Sequence, residues 1–166
     1  MLGKLFGLLK GTPAPEASSP GVEAQTGAAP ATEEAPPPRT GLPFILVVDD
    51  DANIRDLLAT YLEGKGHRVT TAADGWQAVI QSEGLNVVLL VSDIMMPGPQ
   101  GTGVEALQQL RTSRVVRHDL PVIFMTAMTP ADAKKMLPQD PRVRLIHKPV
   151  DFSALDALIA EFLPAR

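Results

Sequence analysis

The chain has 166 residues, enough for one domain of ordinary size and a tail. Hydrophobic residues make up 45% of it, so a core can form, and a net charge of −4 gives no electrostatic reason to expect nucleic-acid binding. It contains no cysteine, which excludes a disulfide scaffold and thiolate metal sites.

The opening stretch, Met1 to Lys10, is too short to span a bilayer. Lys10 and the prolines beyond it break the order of a secretory signal, so a cytoplasmic location is expected. Leu2, Leu5, Phe6 and Leu9 fall at i, i+3, i+4 and i+7, one face of a helix. So short a helix is marginal alone and would form when something receives its apolar face. A groove on a partner protein or a membrane interface would serve. Only Lys4 and Lys10 are basic, so a partner groove is favoured over membrane contact; an inert tail is the plain alternative. Residues 11–41 carry prolines at 13, 15, 20, 30 and 36 to 38 among Ala, Glu, Ser, Thr and Gly, without an aromatic residue. That composition predicts a disordered linker whose role is reach.

A globular domain is expected over residues 42–166. Phe44 to Val48 is a short apolar run and predicts the first strand. Ile54, Leu57, Leu58, Tyr61 and Leu62 keep helical spacing after it, with Asp51 as N-cap and Gly64 and Gly66 as stops. His67 to Thr71 reads as an edge strand, and Asp74 to Ser82 as a helix containing Trp76, Val79 and Ile80. Val87 to Ser92 is the third strand, ending in Asp93. A helix starts near Gly103, a strand covers Leu120 to Thr126 with Pro121 tolerable only at its beginning, and a short helix covers Ala131 to Leu137. Arg142 to Ile146 and Phe152 to Leu163 complete the series. Strand and helix alternate five times, which predicts an α/β fold: a doubly wound five-stranded parallel sheet of flavodoxin-like order.

In such a sheet ligands bind outside the carboxyl ends of the strands. Asp49 and Asp50 follow the first strand, Asp93 the third, Thr126 the fourth and Lys148 the fifth. Three gathered carboxylates repel one another unless a cation neutralises them, and an all-oxygen site with few carboxylates favours Mg²⁺. An ammonium and a hydroxyl beside them can hold a phosphoryl group, and a carboxylate can be the nucleophile that receives it.

The chain from Phe44 to Leu163 resembles the receiver domain of the bacterial two-component response regulator family. The resemblance rests on Val47-Val48-Asp49-Asp50, Ser92-Asp93-Ile94-Met95-Met96-Pro97, Met125-Thr126-Ala127 and His147-Lys148-Pro149, in that order and each at the end of a strand. It implies that Asp93 is the phosphoacceptor and that Asp49, Asp50, Asp93 and the Met95 carbonyl hold Mg²⁺. It implies that Thr126 is the switch hydroxyl, that Lys148 contacts the phosphoryl group, and that the Lys148–Pro149 bond is cis. Met95 and Met128 correspond to positions that influence phosphoryl lifetime; neither can hold an attacking water strongly, so slow self-dephosphorylation is expected. Asp51 is read as a cap, His147 as a bystander, and Met96 and Met125 as apolar filler.

Three departures stand out. The loop from Gly98 to Gly103 is longer than the family's usual one, so either Gly101 or Gly103 is the family glycine. Leu145 stands where the family often has an aromatic switch residue. The fourth helix is short and followed by Pro138 and Pro141, and the adjoining signalling face carries the basic residues Lys134, Lys135, Arg142 and Arg144, where partner recognition is expected. No output domain is expected after Leu163. The expected function is a receiver that takes a phosphoryl group from a histidine kinase or phosphotransfer protein and signals through protein–protein interaction. The alternative is a docking or localisation adaptor in which phosphorylation is secondary. A phosphatase of the haloacid-dehalogenase kind would need an acid two residues after the nucleophile; Met95 occupies that position, so turnover on an outside substrate is not expected.

Overall fold

The computed structural model describes residues 41–96 and 101–163. The expected N-terminal segment, the linker up to residue 40 and residues 97–100 lie outside them. Ten elements alternate: β1 (Pro43–Val48), α1 (Ala52–Gly64), β2 (Arg68–Ala72), α2 (Gly75–Ser82), β3 (Asn86–Asp93), α3 (Gly103–Thr112), β4 (Val122–Thr126), α4 (Pro130–Met136), β5 (Val143–His147) and α5 (Phe152–Phe162). All strand pairs are parallel, in the order β2-β1-β3-β4-β5. This is the expected doubly wound sheet, with the expected edge strand at β2.

The strands alternate their side chains between two apolar layers, as the pleat requires. Leu46, Leu90 and Phe124 face α2, α3 and α4, where Ala78, Leu107, Leu110 and Ala133 cover them. Ile45, Leu89 and Ile123 face the other side, covered by Leu58 and Leu62 of α1 and Leu155 and Ile159 of α5.

Element boundaries shift where capping decides them. Asp74, expected inside α2, is its N-cap: the backbone is extended and the side chain accepts from Gln77 N. Gly64 remains helical and Lys65 is the C-cap; only Gly66 adopts the left-handed conformation, at φ +87°. Thr129 caps α4, so the helix begins at Pro130, where a missing N–H costs nothing. Pro121 stands just before β4 and contributes only its carbonyl, which accepts from Leu90 N at 3.0 Å.

The α2 helix presents a different face than its apolar residues suggest. Gly75, Ala78 and Ser82 are buried, while Trp76 is 66% and Ile80 48% exposed. Gly75 explains this. A Cβ there would sit 3.0 Å from Ala106 Cα, so α2 and α3 meet through small residues and the bulky ones turn outward.

Candidate functional site

The strand register assembles the site. Val48 pairs with Ser92, Asp93 with Met125, and Thr126 with His147. One residue past β1 is therefore level with the end of β3, and Lys148 follows next to Thr126. The reversal of strand order between β1 and β3 opens the crevice where these ends meet.

Asp49 is fully buried and Asp93 nearly so, while Asp50 is exposed. Oxygens of the three carboxylates lie within 4.8 Å of one another. The Lys148 ammonium bridges two of them, donating to Asp93 Oδ2 at 2.6 Å and to Asp49 Oδ2 at 3.0 Å. The remaining oxygens are held by backbone amides: Asp51 N donates to Asp49 Oδ1 at 2.9 Å, and Met95 N to Asp93 Oδ1 at 3.0 Å. Burial pushes the Asp49 carboxyl above its ordinary value, and the Lys148 and Asp51 hydrogen bonds only partly offset this. Burial pulls Lys148 down, but its bonds to Asp93 and Asp49 outweigh that and raise it. A cluster of three acids with one ammonium, one of the acids disfavoured as an anion by burial, suits a hard divalent cation. Asp49, Asp50 and Asp93 are the residues that would hold it.

Thr126 is buried; its Oγ1 accepts from Met128 N at 3.0 Å, and its carbonyl accepts from Lys148 N at 2.8 Å. That leaves the hydroxyl proton available to a ligand in the crevice. The Lys148–Pro149 bond is cis. Asp51 caps α1 as expected, accepting from Asn53 N. Met96 and Met125 are buried apolar filler, whereas the Met95 side chain is 51% exposed. Met128 and Leu145 are partly buried, and each packs against the core of the α2–α4 layer.

Both loop glycines have roles. Gly101 has φ +85°, and Gly103 opens α3 so close to β3 that a Cβ would collide with the carbonyl oxygen of Asp93. The basic face is more balanced than its sequence suggests: Lys135 pairs with Asp132, Arg142 with Asp119 and Arg144 with Glu161. Sequence reasoning passed over Arg55, whose Nη1 donates to the carbonyl oxygens of Asp49 at 2.6 Å and Asp50 at 3.0 Å. The available signal was a cation near the start of a helix, where the dipole disfavours it. It also passed over the Thr102–Glu105 capping box that starts α3.

The profile of the response regulator receiver domain matches residues 45–160. A probable transcriptional regulator ycf27 from Cyanophora paradoxa is 45% identical over 86 residues, which are 51% of this chain and 33% of that protein. The chain thus spans about a third of the length of that curated relative. The receiver domain of the hybrid histidine kinase CckA is 29% identical, with a TM-score of 0.58 over 72% of this chain and 98% of that one. The chemotaxis protein CheY4 of Vibrio cholerae shares the fold, with a TM-score of 0.65 and 24% identity over 74% of this chain and 99% of that one. With that match extending from β1 into α5, across the acids, the hydroxyl and the lysine gathered at the strand ends, the chain belongs to the response regulator receiver domain family.

Proposed function

We propose that Asp93 accepts a phosphoryl group from a phosphohistidine of a histidine kinase or phosphotransfer protein. An Asp93 carboxylate oxygen attacks phosphorus, the P–N bond breaks, and the imidazole leaves and takes a proton. The observation that carries this reading is the Lys148 ammonium shared between Asp93 and Asp49. It stands where charge on an incoming phosphoryl group needs a counter-ion, and a structural salt bridge would not require the third acid, Asp50.

Asp49, Asp50, Asp93 and the Met95 carbonyl would hold Mg²⁺, which when bound neutralises phosphoryl charge. Thr126 supplies a hydroxyl proton to a phosphoryl oxygen and Lys148 an ammonium. Met95 and Met128 bring no strong hydrogen-bonding group to orient a hydrolytic water, so the phosphoryl group is long-lived. Met95 also leaves no general acid for turnover on an outside substrate. In this reading the protein is a cytoplasmic signalling module made of residues 42–166, preceded by a linker over residues 11–41. Its state is read by a protein partner at the face carrying Lys134, Lys135, Arg142 and Arg144. Leu2, Leu5, Phe6 and Leu9 dock the chain to a partner groove.

Leu145 supports a second reading. Where the family often has an aromatic ring to follow the threonine, a partly buried branched aliphatic packs against the α2–α4 layer. An adaptor that docks through its fold, with phosphorylation secondary, has no need of such a ring. Acetyl phosphate with Mg²⁺, followed by intact mass, separates the two. One phosphate added to wild type and absent from Asp93→Asn is the expected result. No adduct from acetyl phosphate, phosphoramidate or a histidine kinase would sink the phosphoacceptor reading and leave the adaptor.

A further inference from the structure

Arg55 is the fourth residue of α1, where its own amide donates to Asp51 O at 3.1 Å. A cation so near the positive end of a helix is disfavoured, and beyond the Asp51 cap the first turn of α1 holds no acid. None of the ion pairs among the described residues includes it. Its Nη1 reaches instead to two consecutive carbonyls of the β1–α1 turn, Asp49 O at 2.6 Å and Asp50 O at 3.0 Å.

Those carbonyls belong to the two acids that open the crevice. Asp49 has its side chain fixed from both sides, by Asp51 N and Lys148 Nζ. Asp50 does not: the hydrogen bonds of the described residues give its exposed carboxylate no partner. Its direction is set by its backbone, and the group that grips that backbone is Arg55. We infer that Arg55 is a positioning residue for the divalent cation, holding the β1–α1 turn so that Asp50 faces Asp49 and Asp93.

Two effects of Arg55 on a cation oppose each other. Its positive charge repels the ion, while its grip places a ligand. Placement dominates, because a small hard cation demands near-octahedral geometry, whereas Coulomb repulsion at an open crevice is screened. Arg55→Lys separates the two, since it keeps the charge but its shorter side chain stops the ammonium short of the position from which Nη1 reaches both carbonyls.

The inference rests on the metal reading of the acids. Its test is calorimetric titration of the full chain with MgCl₂, together with amide exchange at Asp51, whose N–H is tied to Asp49 Oδ1. Arg55→Lys is expected to weaken Mg²⁺ binding about tenfold and to speed exchange at Asp51, with an unchanged far-UV spectrum. Arg55→Gln, which removes the charge and keeps a short donor, is the second variant should Arg55→Lys fold poorly; it too is expected to bind Mg²⁺ more weakly. Failure of wild type to take up Mg²⁺ overturns the metal reading itself. Wild-type affinity in a folded Arg55 variant, or wild-type exchange at Asp51, overturns this inference alone.

Discussion

At the scale of single residues, Gly103 shows how closely the site is tied to its support. Gly103 N donates to Ile94 O at 3.0 Å, and a Cβ would strike Asp93 O and stand 2.7 Å from Ser92 Oγ. Those atoms are backbone and a buried hydroxyl, and neither yields cheaply. Gly64 is the contrast: it is also helical, and nothing lies within 4 Å of its added Cβ. The two glycine-to-alanine changes therefore have opposite signs. Gly64→Ala is expected to gain about 0.5–1 kcal/mol from helix propensity and reduced unfolded-state freedom. Gly103→Ala is expected to lose about 1–3 kcal/mol by overpacking, and to slow acetyl phosphate labelling because the Asp93 backbone must move. Urea unfolding of both variants checks the signs; a neutral Gly103→Ala would mean that α3 slides away freely.

At the scale of elements, the α4–β5 turn has a support that its sequence hides. Pro138 and Pro141 mark a break after α4 in the sequence. The fold adds Arg111 of α3, which donates to Asp140 Oδ2 at 2.7 Å and, through Nη2, to Leu120 O at 2.7 Å. Asp140 Oδ1 accepts from Arg142 N at 2.8 Å. Burial pushes the Asp140 carboxyl up, but the Arg142 amide and the Arg111 guanidinium outweigh it and hold the group below its ordinary value. A carboxyl depressed on folding stabilises the protein above its unfolded pKa of about 3.9, and that contribution disappears as pH falls through the lower folded value. Asp140→Asn is therefore expected to cost about 1–2 kcal/mol at pH 7, the pair being partly exposed, and the gap to wild type should close below roughly pH 4. Denaturation midpoints of both proteins from pH 7 downward measure it; a gap that persists unchanged in acid removes the ionic explanation.

The same scale shows what was legible in sequence. The gathering of the candidate site was readable because Asp49, Asp93, Thr126 and Lys148 each stand at or just past the end of a strand, and a parallel sheet leaves one edge for all of them. The cap at Asp51 was readable from local chemistry. The outward turn of Trp76 was not, because it depends on Gly75 meeting Ala106 of another helix. The pairing of Arg144 with Glu161 and of Arg142 with Asp119 was hidden for the same reason: their partners are distant in sequence. Arg55 was passed over because its targets are backbone carbonyls, which every sequence contains.

At the scale of the whole sheet domain, two apolar layers lie on opposite faces of one sheet and share no residue. The α1–α5 layer is further joined by Tyr61, whose hydroxyl donates to Asp156 Oδ2 at 2.8 Å and whose ring lies 4.2 Å from that of Phe152. Such a sandwich could melt one layer at a time. The strands argue against it. Ile45 and Leu46, Leu89 and Leu90, and Ile123 and Phe124 are sequence neighbours that point into opposite layers. Losing either layer bares half of every central strand, so neither face survives the other. Leu58 of α1 and Leu110 of α3, both fully buried, probe the two sides. Truncation of either to alanine is expected to cost about 2–5 kcal/mol, spread by how far each cavity collapses. Both variants should unfold in one calorimetric transition whose van't Hoff and calorimetric enthalpies agree, shifted down in temperature. An early, separate transition in Leu58→Ala would mean that α1 and α5 can leave while β1, β3 and β4 keep their other layer, and the coupling through alternating strand positions would be wrong.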